Sequence, residues 1–288
     1  FTNVTGTIKV TITGIGDYTG SVTREYQIAP ASVKLASNTR EFVYNGAYQS
    51  DDAVTVQGAE ALFHSQVDDL KAVGRVMTVA EGKVPNTIAY TWKNGFKASN
   101  FAIEKSEGEL SVVAKDIVSS ADMTVSSPSD LVYDGREHKW APEVKDGEKL
   151  LTEGVDYTVS YGADDFTNVA GVIKVTVTGQ GNYKDTATAT WKITPATLTV
   201  TPVASQSKKF KEADPALTYN CSGNVSGQIP AFNGKLDREA GQNAGMYAIE
   251  LGDLALKDNG AFKASNYTLE MVSPAVKFEI KKADAQAL

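Results

Sequence analysis

Apolar and polar residues alternate strictly along Thr7-Ile8-Lys9-Val10-Thr11-Ile12-Thr13, which sets Ile8, Val10 and Ile12 on one face and Lys9 and Thr11 on the other. A period of two is the signature of a half-buried strand. Turn residues follow in Gly14-Ile15-Gly16-Asp17-Tyr18-Thr19-Gly20, and Ser21–Ile28 alternates again, so the stretch predicts a hairpin. The same pattern returns downstream: Phe1–Ala31 and Phe166–Ala196 align with more than half their positions identical, pairing Gly14 with Gly179, Tyr18 with Tyr183 and Pro30 with Pro195. Self-similarity at a fixed offset identifies an array of repeated units. An isolated hairpin is marginal in water. The first copy is therefore expected to pack on the next domain or a neighbour, or to have lost residues before Phe1.

The remaining pattern predicts three further units. Residues 32–115 carry strands at Val33–Leu35, Glu41–Tyr44, Ala53–Val56, Thr87–Trp92, Ala102–Glu104 and Glu109–Val113, with turns at Asn45-Gly46 and Asn94-Gly95. One segment departs from the β pattern. Leu62, Phe63, Val67, Leu70 and Val73 recur every three to four residues, which predicts an amphipathic helix between Glu60 and Arg75. Residues 116–196 hold the complete copy of the hairpin repeat, with strands at Met123–Ser126, Leu131–Tyr133, Lys139–Val144, Tyr157–Tyr161, Val172–Thr178 and Ala187–Ile193. Residues 197–288 echo the second unit: Asn94–Phe101 matches Asn259–Tyr267, and Ala36–Phe42 matches Ala204–Phe210. With residues 1–31 as the C-terminal half of a hairpin repeat, the order is half B, A, B, A′. The junctions Ala29-Pro30-Ala31 and Thr194-Pro195-Ala196 each carry one proline, which suits a stiff joint.

Many short strands with a closing hairpin in each unit point to an all-β chain of tandem, small immunoglobulin-like β-sandwich modules. The helix in the second unit keeps a β-grasp-like alternative open for the A-type units. Hydrophobic residues make up 42% of the 288 positions, ample for buried cores. The net charge of −7 disfavours nucleic acid, whose phosphates select basic stripes. No apolar run is long enough to span a bilayer and no signal peptide or sorting motif is present, so no membrane insertion is expected of these residues. The chain opens in mid-repeat and ends in a charged tail. It is expected to be a piece of something longer, in which missing targeting segments mean little.

Candidate chemistry is sparse. His64 and His138 lie in different units and share no partner, which leaves neither a Ser-His-Asp arrangement nor a zinc site. Asp51-Asp52, Asp68-Asp69 and Asp164-Asp165 could contribute to a calcium site, but none has the spacing of a calcium loop, and acidic pairs at strand ends cap turns. The glycine-rich turns Gly14–Gly20 and Gly179–Tyr183 lead into strands, whereas a phosphate cradle leads into a helix. Cys221, the lone cysteine, shares parity with Leu217 and Tyr219 and is expected to be a buried, inert thiol. Trp92, Trp140 and Trp191 could line a carbohydrate platform, although Trp191 has the parity of Ala189 and Ile193 and is expected in the core. A Lys–Asn isopeptide cross-link needs an inward lysine, and Lys9 and Lys174 face outward by parity. No catalytic residue, metal ligand or cofactor site is expected, and the ligand-binding residues are unknown.

The third unit resembles the YDG-type repeats of large adhesins through Tyr133-Asp134-Gly135, Gly154-Val155-Asp156-Tyr157-Thr158-Val159 and Gly179-Gln180-Gly181-Asn182-Tyr183. The fourth resembles MBG repeats of the YGX type through Asp214-Pro215-Ala216-Leu217-Thr218-Tyr219, Gly234-Lys235-Leu236, Ala244–Ile249 and Ser265-Asn266-Tyr267. It departs at Phe210-Lys211-Glu212, where the family usually has Tyr-Gly. The second unit matches more loosely, through Tyr44-Asn45-Gly46 and Ser99-Asn100-Phe101. Such repeats are similar to those found in tandem in cell-wall-anchored or secreted proteins of Gram-positive gut and oral bacteria. The resemblance implies an extracellular, monomeric segment of a cell-surface adhesin. Its expected role is a stalk that presents an adhesive region. The alternative is a module that itself binds a host glycan or extracellular-matrix protein. An enzymatic segment, which would need a cleft with perturbed carboxylates, is the remaining class and is not expected.

Overall fold

The computed structural model describes residues 3–284, whose regular elements are nearly all short strands, joined by turns and irregular chain. Their contacts cluster into two compact units, residues 3–124, 145–158 and 178–186 in the first and residues 125–144, 159–177 and 187–284 in the second. The architecture is all-β, assembled from small sheets as sandwich modules.

In the first unit, Ile8–Thr13 and Ser21–Tyr26 form the antiparallel hairpin, with Ile8 opposite Tyr26. The repeat that follows is built around Ala31–Ser37, antiparallel to Val54–Gly58 and parallel to Phe101–Ser106. A second sheet centres on Gly108–Val113, between Arg40–Val43 and Val84–Asn86. Val67–Ala72 pairs with Ile88–Trp92 to make a third. The sheets close on Val33, Leu35, Val56, Phe63, Val67, Ile88 and Phe101. A β-grasp would need one larger sheet over a helix. The strands here divide among three sheets, so the alternative is not realised.

The expected helix is only half present. Glu60–Gln66 is helical, but the chain then turns extended and Val67–Ala72 is a strand. The three-to-four spacing misled because Phe63 and Val67 enter the core from two different element types, while Leu62 and Val73 face solvent. Phe63 is fully buried and meets Tyr90, Trp92 and Phe101 edge-on at 5.4–5.9 Å. Burying such a ring contributes about 2–3 kcal/mol.

The second unit repeats this plan. Ala196–Pro202 is antiparallel to Tyr219–Ser222 and parallel to Tyr267–Met271. Lys277–Lys281 lies between Ser207–Lys209 and Gly245–Glu250. Its core holds Val200, Leu236, Ile249, Leu254, Phe278 and Ile280. The hairpin strands of the complete B repeat, Ala170–Gly179 and Thr186–Thr194, stand in a sheet with Tyr157–Tyr161 and Leu131–Val132 at its edges. The expected strand over Lys139–Val144 is absent, and only Val144–Asp146 is extended in a ladder. Pro142 has no N–H to donate, and the irregular stretch before it lets Trp140 turn toward Trp191.

Candidate functional site

Thr-Asn-Val opens both copies of the hairpin repeat, and Ser-Asn-aromatic closes a turn in both A-type repeats. The fold brings these motifs together twice. Asn266 ends the 3₁₀ turn Ala264–Asn266 and is fully buried. Its Oδ1 accepts from the Val169 N–H at 2.8 Å, and its Nδ2 donates to Asn168 Oδ1 at 2.7 Å. At the start of the chain, Asn100 Oδ1 accepts from the Val4 N–H at 3.0 Å and Asn100 Nδ2 donates to Asn3 Oδ1 at 2.9 Å. Both asparagines sit at the end of a 3₁₀ turn with the same N–H to lysine carbonyl bond, Asn100 to Lys97 and Asn266 to Lys263. An amide side chain offers one acceptor and two donors, so it can satisfy a backbone N–H and a second amide together. The result is a latch between a B hairpin and an A-type unit, made the same way in both places.

The complete B repeat adds an aromatic contact to its latch. Tyr133, the first residue of the Tyr-Asp-Gly turn, packs edge-on against Tyr267 at 5.4 Å. Gln228 bridges the two phenols, donating to Tyr133 Oη at 2.7 Å and accepting from Tyr267 Oη at 2.8 Å. Gly135 has φ 77°, and a Cβ there would lie 2.8 Å from Val225 Cγ1, so the glycine permits both the turn and the close approach. Asp134 caps the turn, accepting from the Arg136 N–H and pairing with His138 Nε2 at 2.7 Å.

Two charge clusters are partly enclosed. Lys115 Nζ lies 2.6 Å from both Asp122 and Asp146. Burial opposes its charge, but the two carboxylate hydrogen bonds outweigh that and raise its pKa. In the fourth repeat, Asp214 takes Lys208 at 2.6 Å and Arg238 at 2.9 Å. The Lys208 hydrogen bond, then Arg238, hold the Asp214 carboxyl below its ordinary range despite some desolvation. The Arg238 guanidinium lies over the rings of Tyr247 and Phe278 at 5.1 and 5.5 Å. Beside this cluster is a cavity of about 280 Å³ lined by Asp214, Leu217, Lys235, Asp237, Arg238 and Phe278. A carboxylate neutralised twice and shifted downward is a weak proton acceptor.

The residues singled out in the sequence fall elsewhere. Trp191 is core, stacked on Phe166, as its parity predicts. Trp92 and Trp140 are half-buried against the cores and form no exposed platform. Asp51 accepts from Asn38, Arg40 and the Ala53 N–H. Asp165 accepts from Thr167 and Asn168. Among the described residues no three of His, Cys, Asp and Glu converge to hold a metal ion. Cys221 is half-buried, and burial pushes its thiol pKa up. Lys9 is exposed and pairs with Glu25, and Lys174 is exposed as well. No helix among the described residues is long and apolar enough to cross a membrane. The asparagine latch was missed in the sequence although its signal, two motifs recurring in step, was present.

Residues 198–275 match the family model of the MBG domain, YGX type. The match spans most of the fourth repeat and so supports the resemblance stated for that repeat. No curated protein matches the chain.

Proposed function

We propose that this chain is a non-enzymatic segment of an extracellular stalk on a bacterial cell surface, holding an adhesive region away from the wall. The observation that carries the reading is the latch built twice, at Asn100 and at Asn266. A device that fixes one repeat against the next, made from residues that recur with the repeat, serves a spacer more directly than it serves catalysis. The match of residues 198–275 to a repeat domain of surface proteins agrees with it. Small-angle X-ray scattering tests the reading. A maximum dimension close to that of the repeats laid end to end is expected. A compact particle sinks the stalk.

A second reading has one observation in its favour, the cavity of about 280 Å³ beside Asp214 and Arg238. It makes the fourth repeat a binding module for a host glycan or matrix protein. Binding of the chain to an array of host glycans and matrix proteins, abolished by Ala216→Trp at a residue that also lines the cavity, would favour it over the stalk.

A further inference from the structure

The contact between the second and third repeats has an inserting half and a receiving half, and the chain carries each half a second time. In the receiving half, Tyr44 follows strand Arg40–Val43 and donates its N–H to Val113 O at 3.0 Å. The Tyr183 ring meets it edge-on at 5.4 Å. Beside it, Asn182 Oδ1 accepts from the Val79 N–H at 3.0 Å. The inserting half is thus the Asn182-Tyr183 tip of the B hairpin, and it leaves Tyr183 only 2% exposed.

The fourth repeat builds the receiving half again. Phe210 follows strand Ser207–Lys209 and donates its N–H to Lys281 O at 2.8 Å. That bond makes Phe210 the counterpart of Tyr44, in line with the family's Tyr-Gly position, and sets aside the local echo that paired it with Phe42. Among the described residues no ring is inserted against Phe210, and a cavity of about 290 Å³ lies there, lined by Phe210, Ala244, Lys282 and Ala283. The first hairpin builds the inserting half again. Asp17-Tyr18 stands where Asn182-Tyr183 stands, after a glycine of matching conformation, Gly16 at φ 68° and Gly181 at φ 65°. Tyr18 is 78% exposed. The charges match as well: Asp17 is acidic, whereas Lys282 lines the cavity and Lys211 Nζ lies 5.7 Å from the Phe210 ring.

We propose that the Phe210 cavity is a docking surface for the Asp17-Tyr18 tip of a second copy of this chain. The tyrosine ring packs on Phe210 as Tyr183 packs on Tyr44, and Asp17 faces Lys282 and Lys211. The two surfaces differ, so the contact is heterologous. Each copy that joins presents a fresh tip or cavity, and association proceeds head to tail. One ring and a few charges make a small interface, with a dissociation constant on the order of 0.1 mM and a monomer at low concentration. The inference stands whether or not the stalk reading holds.

Sedimentation velocity on the full chain, from low micromolar to about 0.5 mM, tests it. The expected result is a weight-average sedimentation coefficient that rises with concentration and falls with added salt. Tyr18→Ser should weaken association at least about tenfold. Since Phe210 also packs on its own core, Lys282→Glu, at an exposed position, serves as the variant on the other side. It should weaken association, and an equimolar mixture of Lys282→Glu with Asp17→Lys chains should restore it. A chain that stays monomeric throughout overturns the proposal. So does association that survives Tyr18→Ser, or that Ile12→Ser alone abolishes, since it would then run through the apolar face of the hairpin.

Discussion

The two copies of the hairpin share a sequence pattern and differ in what covers them. In the complete repeat, Ile173, Val175, Trp191 and Ile193 are buried with Tyr133 and Phe166, and Val159 and Tyr161 pack around them. Among the described residues of the first copy only Ile8 is buried, whereas Val10, Ile12, Val22 and Tyr26 are exposed, Ile12 by 70%. The backbones agree nonetheless. In each copy the two strands are neighbours in one sheet, joined by a turn whose glycine has a left-handed φ. Alternation therefore specifies which face of a strand is apolar. It leaves open whether anything lies against that face, because the covering residues belong to another part of the chain.

Substitutions at paired positions turn this comparison into measurements. The widest gap is expected at Trp191 and Tyr26. Trp191→Ala should cost about 4 kcal/mol by opening a cavity in the core. Tyr26→Ala should change stability by less than about 0.5 kcal/mol. Urea unfolding with hydrogen exchange resolved along each hairpin checks both, and equal losses would contradict the burial difference. The latches come next. Asn266→Ala strands the Val169 N–H in a buried site and should cost about 3 kcal/mol, whereas Asn100→Ala, in a wetter site, should cost about 1 kcal/mol. Faster exchange at the Val169 amide, greater than that at Val4, is the sign to look for.

At the turns the copies should stop differing. Gly181→Ala and Gly16→Ala should each cost about 1 kcal/mol, because both glycines hold the same left-handed conformation and an added methyl group would meet no neighbour within 3.4 Å at either. A cost at Gly181 several times that at Gly16 would show that burial reaches the turn. The smallest effect concerns acid. Asp165 is held below its ordinary pKa of 3.8, first by the Asn168 side chain and then by the Thr167 and Asn168 N–H groups. Its folded value is the lower one. Its contribution is therefore complete above the unfolded value and is lost as pH falls through the folded value. The Asn168 side-chain amide signals should titrate with a midpoint below 3.8. A midpoint at or above that value would remove Asp165 from the support of this latch.

Much of the all-β fold was legible because strand faces are a local property. Ile173, Val175, Trp191 and Ile193 declared their inward side by parity alone. Two readings failed where a local pattern had two physical sources. Phe63 and Val67 have helical spacing, but they reach the same core from a helix and from a strand. Lys139–Val144 reads as a strand, yet it breaks at Pro142 while Trp140 packs on Trp191. The latch was half legible. Its motifs recur in the sequence, but nothing in either motif says that Asn168 meets Asn266, because that pairing crosses a long stretch of chain.

By itself, the sequence determined the recurrence of its motifs, the all-β class, the apolar face of many strands and the turns that need glycine. These depend on neighbours in the chain, through alternation and backbone sterics. Only the tertiary structure decided which apolar faces are covered and which asparagines meet. Those outcomes depend on contacts between residues far apart in sequence, whose energies come from excluding water at particular places in space. Alternation along one strand carries no record of them.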